Sequence, residues 1–199
     1  MTSNIVKAVI FDCFGVLATD GWLPFKSKYF AHDASLMQQA SDLNKQNDAG
    51  LKSYEDFIKE VSYLAHVDPQ IAIDSIEGNA PNEPLFNYID TLKNDYKIGM
   101  LSNAGANWLE RMFTRQQIAL FDQIALSYET GFIKPRPEAF QVILDRLNVS
   151  AESCVFIDDQ PRYGEGAKDI GMKFIHFKDN EQVIAELNKI LADSSDSKK

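Results

Sequence analysis

Four short, nearly continuous apolar runs constrain this chain more than any other feature: Ile5 to Phe11, Ile98 to Leu101, Cys154 to Ile157 and Phe174 to Phe177. Each is too short for a helix and lacks the alternation of a strand with one wet face. Each therefore reads as a strand buried on both faces of a parallel sheet. Gln123 to Ser127 is a fainter fifth. Between the runs lie segments of helical period. Trp108, Leu109, Met112 and Phe113 share one face, as do Ala139, Phe140, Ile143, Leu144 and Leu147, and Val183, Ile184, Leu187, Ile190 and Leu191. Strand then helix, repeated, predicts an α/β fold with a Rossmann-like parallel sheet.

From about Ala18 to Pro84 the alternation stops. Two or more helices replace it, one lined by Leu36, Met37, Ala40 and Leu43, another by Tyr54, Phe57, Ile58, Val61, Leu64 and Ala65 behind a Ser53/Asp56 cap. A helical insert of this length directly after the first strand is too long for a crossover. The expected division is an α/β core (residues 1–17 and 85–192), an all-α cap (residues 18–84) and a disordered polar tail (residues 193–199). The cap would sit over the carboxyl ends of the strands, where open α/β sheets bind ligands.

The 199 residues, 45% hydrophobic, are enough for a sizeable core. Twenty Lys and Arg against 29 Asp and Glu leave a net charge of −9, which argues against nucleic acid or an anionic membrane as partner. No apolar run approaches the roughly 20 residues of a membrane span. The amino terminus lacks a signal-peptide pattern, so a cytoplasmic protein is expected. Cys13 and Cys154 are too few for a disulfide framework or a zinc site, which suits a reducing compartment. His32, His66 and His176 show no metal-ligand spacing.

In a parallel sheet the residues that follow the strands gather on one edge. Here these are Asp12, then Ser102-Asn103, then Asp158-Asp159, with the loop Thr130-Gly-Phe-Ile-Lys-Pro-Arg136 between the last two. Three neighbouring carboxylates repel unless paired with cations. Lys134 supplies one positive charge, and a hard divalent ion, most naturally Mg²⁺, would supply the rest. Such a pocket, with a hydroxyl and backbone N–H groups beside it, suits a phosphoryl group, and one carboxylate is then available as a nucleophile.

Phe11-Asp-Cys-Phe-Gly-Val-Leu17, Leu101-Ser-Asn103, Lys134-Pro135 and Phe156-Ile-Asp-Asp159, followed by Gly166-Ala167 and Gly171-Met172, resemble in order the four motifs of the haloacid dehalogenase (HAD) superfamily. The successive steps are 90 residues from Asp12 to Ser102, 32 from Ser102 to Lys134 and 24 from Lys134 to Asp158. The pattern is most similar to the branch of glucose-1-phosphate phosphatases and epoxide-hydrolase amino-terminal phosphatases. The resemblance implies that Asp12 is the nucleophile and that Ser102 with the N–H of Asn103 holds phosphoryl oxygens. Lys134 would neutralise charge, and Asp12, Asp158, Asp159 and the backbone carbonyl of Phe14 would hold Mg²⁺. The substrate would be a small phosphorylated metabolite, and a sugar phosphate suits the branch.

Two positions depart from that pattern. Phosphatases of the superfamily usually carry a second Asp, the general acid-base, where this chain has Phe14, so its contribution of about 10²–10⁴-fold is missing there. A sugar 1-phosphate, whose leaving group needs little protonation, would tolerate this. A 2-haloacid dehalogenase also carries an aromatic at this position, although Asp158-Asp159 argues for a metal that dehalogenases lack. A protein that only binds a phosphorylated ligand or partner is the third reading. The second departure is Tyr163, where the branch often has Asn; Pro161 and Arg162 are unusual beside it. Arg136 and Arg162 read as solvated loop arginines. Trp22, Phe25, Tyr29 and Phe30 form either an aromatic substrate wall or the insert's own core. Cys13, beside the nucleophile, is redox-sensitive only if exposed.

Overall fold

The computed structural model describes residues 5–196. Strands β1 (Ala8–Phe11), β2 (Lys97–Ser102), β3 (Gln123–Leu126), β4 (Cys154–Asp158) and β5 (Lys173–His176) form one parallel sheet in the order β3-β2-β1-β4-β5. All five apolar runs are strands, the faint one included. The order reverses at central β1, where later strands switch to its other side, and a crevice opens at the carboxyl ends of such a switch point.

Side chains alternate along a strand, and here both faces are covered. Val9 and Phe11 meet Leu85, Phe86 and Ile89 of α5 (Glu83–Leu92) and Val183 and Leu187 of α11 (Asn180–Asp196). Ala8 and Ile10 meet Phe140, Ile143 and Leu147 of α9 (Pro137–Leu147) and Ala167 of α10 (Pro161–Asp169). With no wet face, β1 needs no polar position. The helical pattern over Trp108–Phe113 shrinks to a single turn, α6 (Leu109–Met112). Phe113 is extended there, because Thr114 and Gln117 form a capping box that starts α7 (Arg115–Ile118) instead. A further short turn, α8 (Ser127–Thr130), follows β3.

The insert holds four helices: α1 (Trp22–Phe30), α2 (Ala34–Asp48), α3 (Tyr54–Ala65) and α4 (Pro69–Glu77). Their starts are chemically marked. The Asp33 carboxylate accepts from the backbone N–H groups of Ser35 and Leu36, Ser53 Oγ from that of Asp56, and the Asp68 carboxylate from that of Gln70. Pro69 occupies the first turn of α4, where its missing N–H costs nothing. Phe25, Phe30, Ala40, Phe57, Ile58, Val61 and Ala72 form a cluster separate from the two sheet layers. The two linkers that carry the insert pair with each other. Ala18 and Pro81 form an antiparallel bridge, Thr19 N donates to Ala80 O at 3.0 Å, and Ala80 N donates to Thr19 Oγ1 at 2.9 Å.

The polar carboxyl end differs from expectation. α11 runs to Asp196, so residues 193–196 are helical rather than a disordered tail. Ser194 is buried and its Oγ accepts from Val6 N at 2.8 Å, a use of a serine that composition alone hides. Residues 197–199 lie outside the described residues. Among the described residues no helix is long and apolar enough to cross a membrane.

Candidate active site

Asp12 extends the β1–β4 ladder by one step, its N–H donating to Ile157 O at 2.9 Å. This places it beside Asp158, the last residue of β4. Lys134 Nζ lies 2.7 Å from Asp12 Oδ1 and 2.6 Å from Asp158 Oδ2, and all three residues are buried. Burial opposes the charge on Lys134, but the two carboxylates outweigh it and hold the ammonium above the ordinary lysine value. Burial, then the charge of Asp158, pushes the Asp12 carboxyl well above the ordinary aspartate value, against the pull of Lys134. Burial also raises Asp159, although the Gln160 side-chain amide donates to it at 2.8 Å.

One oxygen from each of Asp12, Asp158 and Asp159 lies within 4.8 Å of the others. Ionised, these carboxylates outnumber the single Lys134 ammonium, and the donor set is entirely hard oxygen, so the residues fit a divalent ion such as Mg²⁺. Gly15 makes room for this arrangement. Its φ is +84°, and a Cβ there would stand 2.7 Å from the Asp159 carboxylate, so a side chain is excluded twice over. Phe14 lines the cavity and packs against the sheet core, and its side chain offers neither a proton nor a ligand.

Ser102 reaches the same sheet edge but is buried, its Oγ 3.5 Å from Asn103 O, and it does not line the main cavity. Asn103 does. Its Oδ1 accepts from Lys134 N at 2.8 Å, and its Nδ2 donates to Lys134 O at 3.2 Å and to Tyr163 Oη at 3.3 Å. Asn103 thus fastens the lysine loop to the end of β2. The Tyr163 ring lies 4.9 Å from Lys134 Nζ and 4.6 Å from the Arg162 guanidinium, which also donates to Tyr163 Oη at 2.7 Å. Arg162 faces the cavity, whereas exposed Arg136 is the residue before α9 and does not. Cys13 is buried and burial pushes its thiol up, which makes it inert.

His176 was given no role by sequence, yet its Nε2 lies 3.0 Å from Asp159 O. The signal was available in the register, because β5 pairs His176 with Asp158. Asp20 and Asp48, unremarked in the sequence, also line the cavity. The aromatic group after the first motif divides. Trp22 lines the cavity, Phe25 and Phe30 sit in the insert's core, and Tyr29 packs against that core.

The cavity measures about 640 Å³. Asp12, Phe14, Asn103, Lys134 and Asp159 form its floor, and Trp22, Lys26, Asp48, Tyr54 and Phe57 of the insert face them. The insert also touches the core directly. Ser127 Oγ donates to Asp48 O and accepts from Ala104 N at 2.9 Å, two residues past Ser102. Gly105 receives Asn47 so closely that a Cβ would lie 1.8 Å from Asn47 Oδ1.

The model of haloacid dehalogenase-like hydrolases matches residues 6–171. A 92-residue stretch is 32% identical to bifunctional epoxide hydrolase 2 of Rattus norvegicus, covering 42% of this chain and 17% of that protein. The chain therefore spans less than a fifth of that relative's length. A phosphatase of Mycobacterium tuberculosis is 24% identical over 197 residues, covering 84% of this chain and 85% of that one. The crystal structure of a HAD-family enzyme from Bacteroides thetaiotaomicron in complex with magnesium and inorganic phosphate is similar at a TM-score of 0.71. It is 20% identical, and the match covers 90% of this chain and 98% of that one. With a parallel sheet that gathers carboxylates and a lysine at its switch point, and a family match over most of its length, the chain belongs to the haloacid dehalogenase-like hydrolases.

Proposed function

We propose that this protein is a Mg²⁺-dependent phosphatase of a small phosphorylated metabolite, acting through an aspartyl-phosphate on Asp12. The observation that carries the reading is the placement of Lys134 between Asp12 and Asp158 at the floor of the cavity, with Asp159 beside them. Asp12 attacks phosphorus and takes the phosphoryl group. The N–H of Asn103 holds its oxygens, with buried Ser102 behind it, and Lys134 offsets charge on nucleophile and phosphate. Asp12, Asp158, Asp159 and the Phe14 carbonyl would hold Mg²⁺, which supplies charge neutralisation for the phosphoryl oxygens. The magnesium and phosphate bound by the Bacteroides enzyme and the name of the mycobacterial relative support this assignment.

Residues 18–84 act as the cap that excludes water and selects the substrate. Aromatic Trp22, Tyr54 and Trp108 and the amide side chains of Gln38, Asn44 and Asn79 line the cavity together, a lining that suits a sugar phosphate. Asn79 is held within this lining by its Nδ2, which donates to Ile76 O at 2.9 Å. Phosphate release from a panel of sugar, aryl and acyl phosphates tests the reading. Release is expected with Mg²⁺ and is lost with EDTA. No release from any member overturns it in favour of a binding role, and EDTA-insensitive halide release from a 2-haloacid would make the protein a dehalogenase.

A further inference from the structure

Phe14 leaves the departing oxygen without the carboxyl proton donor that the first motif usually carries. Among the described residues, five carboxyl groups line it: Asp12, Asp20, Asp48, Glu77 and Asp159. Asp12 and Asp159 belong to the floor. Glu77 is occupied by Arg111 Nη1 at 3.2 Å and Tyr54 Oη at 3.0 Å. Asp20 precedes the Gly21 cap of α1 and is held there, its Oδ1 accepting from the N–H groups of Trp22 at 2.7 Å and Leu23 at 3.3 Å. Asp48 is the less committed of the two: it accepts one hydrogen bond, from Asn44 Nδ2 to Oδ2 at 2.9 Å, against the two that hold Asp20, and none reaches its Oδ1 among the described residues.

Asp48 is also held in place. Its backbone carbonyl accepts from Ser127 Oγ, which in turn accepts from Ala104 N, so the end of α2 is tied to the turn that carries Ser102 and Asn103. The groups that act on its carboxyl electrostatically are Asp20, Lys134 and Arg162, from three different segments. We propose that Asp48, carried by the insert, is the general acid-base that the first motif lacks. The proposal rests on the phosphatase reading above.

Two proton transfers follow. As phosphorus moves to an Asp12 carboxylate oxygen, the ester P–O bond breaks and the Asp48 proton goes to the departing alkoxide. The Asp48 carboxylate then takes a proton from the water whose oxygen attacks phosphorus, the bond to Asp12 breaks, and inorganic phosphate leaves with Asp12 ionised and Asp48 protonated. Burial, then the charge of Asp20, pushes the Asp48 carboxyl up from 3.8 to about 7, a value suited to both steps at neutral pH.

The test compares single turnovers of wild type and Asp48→Asn on 4-nitrophenyl phosphate, whose leaving group needs no proton, and on a simple alkyl phosphate. In the variant, the first turnover of the aryl ester is expected at the wild-type rate, followed by slow turnover with phosphorylated enzyme visible by intact mass. The first turnover of the alkyl ester should fall by about 10²-fold. Equal losses on both esters, or no loss on either, overturn the proposal. If Asp48→Asn does not fold, wild type decides: alkyl-ester turnover should decline above about pH 7 while the aryl first turnover does not, and the absence of that split is equally fatal. If wild type with Mg²⁺ releases phosphate from neither ester nor any other member of the panel above, it is the phosphatase reading that fails; if only a sugar phosphate is hydrolysed, Asp48→Asn should slow its first turnover by about 10²-fold, and no loss overturns the proposal. Activity on the aryl ester with no dependence on Asp48 sinks only this proposal.

Discussion

The two walls of the cavity are built on different principles. On the core wall Asp12, Lys134 and Asp158 are buried and joined by contacts of 2.7 and 2.6 Å, and each hangs from the end of a sheet strand or the loop fastened to it by Asn103. On the insert wall Trp22, Lys26 and Asp48 are half-buried and stand on helices whose apolar faces pack among themselves. Groups that must meet developing charge gain most from being fixed before the substrate arrives, whereas groups that choose the substrate need only a stable platform. The same fold can therefore keep its nucleophile while its insert changes, and the proton donor proposed at Asp48 changes with the insert.

The largest expected effect breaks the core wall. Asp12→Asn should lower turnover by about four orders of magnitude or more while leaving the circular dichroism spectrum unchanged; near-normal phosphate release would remove Asp12 as the nucleophile. Lys134→Met leaves buried carboxylates facing each other, and chemical denaturation in EDTA should show a loss of about 3–5 kcal/mol, partly recovered with Mg²⁺. A loss below about 1 kcal/mol would mean that the ion pairs do not hold this wall together.

Substitutions at the insert should cost less. Gly105→Ala places a methyl group inside the seat of Asn47, so stability should fall by about 1–3 kcal/mol and kcat/KM by about tenfold, measured by melting and steady-state kinetics. Phe14→Asp in an Asp48→Asn background moves the proton donor from one wall to the other. Alkyl-phosphate turnover should rise several-fold over Asp48→Asn alone, within the about 10²–10⁴-fold that such a group supplies, and an unchanged rate would show that position 14 cannot serve.

The smallest effect is on stability against pH. Folded Asp48 keeps a proton to about pH 7 that the unfolded chain releases near 3.8. The folded state thus binds more protons across that window, so this group's contribution to stability falls as pH rises through it. In EDTA, melting temperatures at about pH 5 and about pH 8 should differ less for Asp48→Asn than for wild type, and an identical difference would place the titration elsewhere.

Much of the core wall was legible because its signals are local. Apolar runs without polar interruption mark strands buried on both faces, and the residue after each run must lie at the sheet edge, which located Asp12, Ser102 and Asp158. The insert's function was not legible. Asp48 sits at the end of an amphipathic helix like any solvated carboxylate, and its partner Ser127 is 79 residues away. The single-turn α6 was overestimated because Trp108 and Phe113 fit a helical face, while the competing signal, Thr114 capping the next turn, lies just outside it. The tail was misjudged for a similar reason: Ser194 is polar, but its hydroxyl answers a buried N–H at the other end of the chain.

The paired linkers at Thr19 and Ala80 have a mechanical consequence. A body joined to another along one line can turn about that line, like a door. Joined also at a point off the line, it cannot turn at all. The bond from Ser127 to Asp48 is such a point, and it holds the insert as a latch holds a door against its frame. The Arg111–Glu77 contact at 3.2 Å and the seat of Asn47 on Gly105 are two more such points, so the insert is bolted to the core at several places and can swing only when they release together.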